Sequence, residues 1–260
     1  MKGIYLSLMA VMVVSGLFFT SCKKDKTTNE AFSSITDSTG ADVLGITYDN
    51  DGKVIKATAG TVTYDFYYNN NKLIKRVQSE SGSLVATDSF FYDGVDRYSR
   101  IDNYNDNGVK AKSTVFSYNL NNSIDAVNVN SSTVGTPDAM FEFTYAGSNF
   151  NTVKEYEKTL GTFSIKRQFE FLAFDAKTNP ISPLINKYFS DQYNLITLFW
   201  GSNNNCTSMR QTDYSVINGD VTGSFPVTAT YTYNGSNMPT EVVTTTNGNT
   251  NRNFYHYTTL

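Results

Sequence analysis

Few side chains in this 260-residue chain have the type and spacing that chemistry requires. The single histidine, His256, stands between Tyr255 and Tyr257 in a stretch that alternates like a strand. A zinc centre needs several ligands, and a Ser-His-Asp triad needs a positioned nucleophile, yet no Gly-x-Ser-x-Gly elbow occurs. His256 therefore reads as a strand residue. Asp49-Asn50-Asp51-Gly52 has the composition of a calcium loop. Counted from Asp49, however, the Gly and Glu positions of an EF-hand fall on Val54 and Gly60, so a tight turn is the simpler reading. Glu142, Glu155, Glu157 and Glu170 could in principle supply the carboxylate pair of a glycosidase. They lie in alternating stretches, where solvent exposure is the ordinary expectation. Phosphate-binding glycine loops are absent. The sequence thus assigns no catalytic, cofactor-binding or metal-binding residue. It reads as a non-enzyme that needs no cofactor.

Aromatic residues are the richest resource, with 18 Tyr and 18 Phe. They recur two apart before polar turns: Tyr64, Phe66 and Tyr68; Phe90 and Tyr92; Phe116 and Tyr118; Phe141, Phe143 and Tyr145; Tyr231 and Tyr233. Period two puts each set on one face of a sheet. The residues between them, such as Asp65, Ser117, Thr144 and Thr232, are polar and face the other way. Most sets end in Tyr followed by Asp/Asn-rich segments such as Asn69-Asn70-Asn71 or Asn234-Gly235-Ser236-Asn237, as Tyr48 is by Asp49-Asn50-Asp51-Gly52; Tyr145-Ala146-Gly147-Ser148-Asn149 is a weaker copy. Asn, Asp and Gly tolerate positive φ and suit hairpins. A Tyr-to-Tyr period of roughly 20–27 residues indicates a repeated two-stranded unit. The fold class is therefore all-β: a long antiparallel meander of repeated hairpins, forming a curved sheet or barrel-like shell over residues 42–260. Its aromatic face is expected to be the core. As an alternative, Tyr118, Tyr145 and Trp200 form a candidate ligand platform for stacking sugar rings.

Residues 175–205 break the rhythm. Asn179-Pro180 and Pro183 stop a strand, and apolar residues from Leu184 to Trp200 recur at mixed helical spacing. One or two helical turns are expected near 180–200, although Leu195 to Trp200 could equally be a strand. The segment should plug an open end or face of the sheet.

At the N-terminus, Lys2 and the apolar run Ile4–Phe19 have the form of a signal peptide, residues 1–21. Phe19-Thr20-Ser21-Cys22 resembles the lipobox of bacterial lipoproteins, with Phe where Leu is usual. That resemblance implies that Cys22 is acylated and becomes the new N-terminus. Residues 22–41 are polar and read as a flexible tether. With Cys22 lipidated, Cys206 has no intramolecular partner and should be a free, buried thiol. The formal charge of −3 argues against a nucleic-acid partner, which wants a basic face.

The Tyr-Asp/Asn repeat resembles the YD repeats of Rhs-type β-shell proteins. Together with the lipobox and the segment Asp175-Ala-Lys-Thr-Asn-Pro180, residues 40–260 look like an uncharacterised family of Bacteroidetes lipoproteins, a domain of unknown function with a porin-like fold. The resemblance implies a curved meander and an outer-membrane location, on the periplasmic or surface-exposed face. It implies no activity. The expected partners are the membrane, through the lipid, and a glycan or another envelope protein.

Overall fold

The structure, a computed structural model, describes residues 30–131, 138–191, 193 and 195–260. The expected signal peptide and Cys22 lie outside the described residues. The chain begins with β1 (Glu30–Asp37), β2 (Asp42–Tyr48), β3 (Val54–Ala59), β4 (Val62–Asn69), β5 (Lys72–Glu80) and β6 (Ser83–Tyr92). It continues with β7 (Tyr98–Asn105), β8 (Lys110–Tyr118), β9 (Ile124–Ser131), β10 (Ala139–Ala146), β11 (Asn149–Thr159) and β12 (Thr162–Thr178). Two short helices follow, α1 (Ser182–Tyr188) and α2 (Leu195–Gly201). The last strands are β13 (Asn204–Tyr214), β14 (Val221–Tyr233), β15 (Pro239–Thr246) and β16 (Asn249–Thr259). Each strand pairs antiparallel with its sequence neighbours, and β16 pairs with β1, so the meander closes into a 16-stranded barrel. Closure leaves no sheet edge to be covered.

The turns explain the Asp/Asn signature. In six of them an Asp or Asn side chain accepts hydrogen bonds from the backbone N–H groups two and four residues on: Asp37, Asp49, Asp93, Asn105, Asn119 and Asn234. The residue three places on takes positive φ in every case: Gly40, Gly52, Asp96, Gly108, Asn122 and Asn237. Only Gly and short polar residues adopt that conformation cheaply.

The repeat's tyrosine has a specific task. Six hydroxyls reach across to the preceding hairpin and donate to a backbone carbonyl: Tyr48 to Phe32, Tyr68 to Val54, Tyr92 to Leu73, Tyr118 to Tyr98, Tyr145 to Ile124 and Tyr257 to Pro239, whereas Tyr233 donates to the Asp175 carboxylate. The accepting residue is in turn paired with the previous tyrosine, as Val54 is with Tyr48, Leu73 with Tyr68, Tyr98 with Tyr92 and Ile124 with Tyr118. The register shifts at these tyrosines, which marks a bulge in each of those hairpins. The result is a ladder of tyrosines around one mouth of the barrel, here called the tyrosine mouth. Both Glu30 and Leu260 lie at that mouth, where β1 begins and β16 ends. Burial pushes the Tyr118 hydroxyl up to about 12, well away from ionisation near neutral pH, so it stays a donor.

Tyr118 and Tyr145 are therefore rungs of this ladder. Tyr118→Phe should cost about 1 kcal/mol, the loss of one hydrogen bond and an unsatisfied Tyr98 carbonyl. Tyr118→Ala should cost about 3 kcal/mol, the lower end for deleting a core aromatic, since the ring is only half-buried. Chemical denaturation of the two variants separates the rung from the ring.

Inside, Phe66, Phe90, Phe116, Phe143, Phe169 and their neighbours form a continuous apolar core. Outside, the wall is dominated by exposed polar residues such as Thr47, Ser117, Glu142, Thr144 and Thr232. A barrel that met lipid tails would carry an apolar band there.

One boundary needs correction. Residues 30–37, expected to belong to the tether, form β1 and close the barrel against β16. Phe32 and Ile35 are buried three residues apart, because a bulge between Phe32 and Ser34 breaks the period of two. That spacing hid the strand from a period-two reading. Residues 30–37 are therefore part of the barrel, and residues 22–29 lie outside the described residues.

Candidate functional site

Sixteen strands enclose a lumen too wide for their own side chains to fill; barrels of this size otherwise hold a water channel. Here the chain between β12 and β13 turns inward and fills part of it. Pro183 lies in the first turn of α1, where its missing N–H costs nothing. Asn179 starts the turn inward by accepting from Ile181 N–H and donating to the Trp200 and Ser202 carbonyls. The Ser182 hydroxyl and the Asn186 amide donate to the Gly201 carbonyl at 2.9 and 3.0 Å, tying α1 to the end of α2. Gly201 must be glycine for space: a Cβ there would stand 2.7 Å from the Phe150 ring. The expected plug thus has two helices. The structure resolves the strand-or-helix ambiguity of Leu195 to Trp200 in favour of helix.

The insertion touches the wall on several sides. The Tyr188 ring packs on Phe66 at 4.9 Å and the Phe189 ring on Tyr64 at 5.3 Å. Tyr193 packs on Phe141 and Phe143 at 4.8 and 5.2 Å. Between these contacts lies a buried charge cluster. Arg76 of β5, 2% exposed, donates from Nε to Asp88 at 2.8 Å, from Nη1 to the Tyr188 carbonyl and Asp191 at 2.7 and 3.0 Å, and from Nη2 to Asp191 at 2.7 Å, and its Nη2 forms an ion pair with Asp88 at 2.7 Å. Asn103 donates to the other Asp88 oxygen at 2.7 Å. Burial alone would raise the Asp191 carboxyl, but Arg76 overrides it and holds the group below the usual carboxylate range. Arg76 thereby latches the insertion to the wall.

The sequence reading missed this cluster, although one signal was present. Asp88, Phe90 and Tyr92 share one phase of β6, so Asp88 belongs to the buried aromatic face and demands a cation.

Beyond the insertion, toward the mouth away from the tyrosine ladder, the lumen stays open as a cavity of about 690 Å³. Phe199 and Trp200 of α2 line its inner end. Val227, Val242, Thr244 and Thr246 line the wall, with Asn251 and Asn253 beside them on β16. The two charged residues at the cavity are engaged elsewhere. Asp37 accepts from the Thr39 hydroxyl and the Thr39 and Ala41 N–H groups, and Arg252 pairs with Glu241 at 3.0 Å. The Trp200 ring is the large aromatic surface that the cavity offers a ligand. A volume of this size with an apolar end and a few convergent polar groups fits a small-molecule site. Of the three candidate platform residues, the structure places Trp200 here and Tyr118 and Tyr145 at the opposite mouth.

His256, Cys206 and two buried carboxylates lie away from this cavity. His256 Nε2 lies 3.0 Å from the Thr36 hydroxyl on the exposed face. Cys206 is a free, buried thiol, pushed up to about 12 by that burial. The buried carboxylates are neutralised: Asp102 by Lys110 and Arg100, Glu155 by Lys166 and Arg167. A second cavity, of about 640 Å³, opens at the tyrosine mouth beside Glu30, Lys177, Pro183 and Met238.

No family model matches the chain, and no curated protein matches it. Among solved structures it is similar to a porin-like protein from Bacteroides uniformis, at 15% identity and a TM-score of 0.56, over 89% of this chain and 97% of that one. A porin-like protein from Bacteroides vulgatus aligns at 12% identity and a TM-score of 0.44, over 89% of this chain and 100% of that one. A DUF3836 family protein from the same species aligns at 12% identity and a TM-score of 0.18, over 40% of this chain and 90% of that one. The first of these likenesses shows that the fold is that of the porin-like protein.

Proposed function

We propose that the protein is a non-enzymatic cell-envelope module, held to the outer membrane by acylated Cys22, which binds a ligand in the open part of its lumen. The observation that carries this reading is the cavity over Trp200. It is concave, preformed by the latched insertion, and lined by uncharged side chains apart from two that are already paired. The polar outer wall supports tethering to the membrane over spanning it. The neutralised buried carboxylates support binding over catalysis, since among the described residues none of Asp88, Asp102, Glu155 and Asp191 lacks a cationic partner. No cofactor is called for. Mild acidity favours a partner other than nucleic acid.

A neutral glycan suits the cavity best, because an aromatic ring beside Thr and Asn side chains offers a sugar both an apolar face and hydrogen-bond partners. Another envelope protein inserting a loop is the second reading. A glycan array read alongside a hydrolase screen distinguishes binding from cleavage. For the anchor, Cys22→Ala should move the protein from the detergent phase to the aqueous phase in phase separation. Unchanged partitioning would sink the lipid anchor while leaving the cavity untouched.

A further inference from the structure

The hairpin repeat provides an internal standard against which one patch of the outer wall stands out. The residue just before each ladder tyrosine points outward: Thr47, Tyr67, Phe91, Ser117, Thr144 and His256, and likewise Thr232 before Tyr233. Those just after the paired residue on the next strand also reach the outer side: Ile55, Ile74, Ser99, Asp125, Asn151 and Thr240. Polar residues fill these positions everywhere except on β3 to β6. There Ile55, Tyr67, Ile74 and Phe91 are 39–45% exposed, while Val54, Phe66, Leu73 and Phe90 beside them are buried in the lumen. Four adjacent strands thus carry an apolar row on the outside, within three residues of the tyrosine mouth. Lys75 lies over the Tyr67 ring at 4.2 Å and Arg100 over Phe91 at 4.3 Å. The neighbouring turn tips at the same mouth add Val95, 68% exposed, and Leu120, fully exposed.

We infer that the tyrosine mouth, through this row, rests on the headgroup region of the membrane that holds the lipid anchor, and that the ligand cavity opens away from it. Aromatic rings with adjacent Lys and Arg are the side chains that suit a bilayer interface. The position of the chain entry commits the occupant. Glu30 lies at this mouth, two strands from β3. From Cys22 to Glu30 the chain has eight residue steps, which span at most about 28 Å even fully extended. A lipid at Cys22 therefore cannot let the far mouth face the bilayer without the chain running the length of the barrel. Lys23, Lys24 and Lys26 add attraction to anionic headgroups along that short segment. One lipid signal combined with an apolar and basic surface also makes a firmer attachment than either alone.

This inference rests on the Cys22 reading, and the experiment separates the two. Acylated full-length protein is purified from membranes and reconstituted in phosphatidylethanolamine–phosphatidylglycerol vesicles. A fluorophore is placed at Leu120→Cys or at Ile217→Cys; Ile217 is an exposed residue in the turn between β13 and β14 at the far mouth. Quenching by headgroup-nitroxide lipid should be several-fold stronger at position 120 than at position 217. Replacing three of the row's four residues with the repeat's own polar residues, Tyr67→Thr, Ile74→Asn and Phe91→Ser, should leave flotation with the vesicles intact and reduce the difference below twofold. Equal quenching at the two positions, or a difference unaffected by the triple replacement, would overturn the orientation while leaving the anchor standing. Wild-type protein that fails to float would remove the anchor and the orientation together.

Discussion

Arg76→Ala should destabilise the protein by about 3–5 kcal/mol, the range for breaking a buried ion pair by removing one partner. The substitution leaves Asp88 and Asp191 buried, with Lys112 as the remaining cation acting on Asp191. It also frees the Tyr188 carbonyl and loosens the insertion from the wall. The pH dependence identifies the mechanism. In the wild type the Asp191 carboxyl is depressed by Arg76, so its contribution is present above the unfolded carboxylate value of about 4 and is lost as pH falls through the lower folded value. In the Arg76→Ala protein, burial without the guanidinium raises the same carboxyl. Protonation then relieves the penalty, and the stability deficit should shrink as pH falls toward about 4. Urea denaturation of both proteins across that range measures it. The replacement of all three charges, Arg76→Met with Asp88→Leu and Asp191→Leu, should recover much of the loss, because apolar residues of similar volume often substitute for a buried ion cluster. A deficit of under 1 kcal/mol for Arg76→Ala, unchanged by pH, would show that the insertion is held by its apolar contacts alone.

Much of the barrel was legible because its signals are local. Tyrosines two residues from an inward Phe, followed by Asp or Asn, specify strand phase and turn in a few residues each, and these recur. The helical insertion was legible from Pro183 and the change of period. What escaped were features decided by distant parts of the chain. β1 lacks strong alternation and is a strand because β16 offers it a partner. Arg76 sits in a run of mixed residues, Lys75-Arg76-Val77, and becomes a latch only when Asp191 arrives from the insertion. Tyr118, Tyr145 and Trp200 look alike as exposed-or-core aromatics in sequence. Closure separates them, placing two in the tyrosine ladder and the third at the cavity.

Trp200→Ala should abolish ligand binding, or weaken it by at least about thirtyfold, the effect of losing an anchor worth 2 kcal/mol or more. Trp200 is the single tryptophan, so its emission reports on the cavity without a label. Because truncating a half-buried ring also loosens α2, a second variant acts from the opposite side. Thr244→Tyr places a ring in the cavity from the wall and leaves Trp200, the latch and the tyrosine ladder as they are. It should block binding with little change in the denaturation midpoint.

The most direct measurement is therefore a titration of Trp200 emission in the intact protein with a panel of neutral oligosaccharides, run in parallel on Thr244→Tyr. A saturable shift in the wild type, absent in Thr244→Tyr, is the expected result. No shift with any member of the panel, or binding that leaves Trp200 emission unmoved and survives Thr244→Tyr, would contradict a glycan site in the lumen.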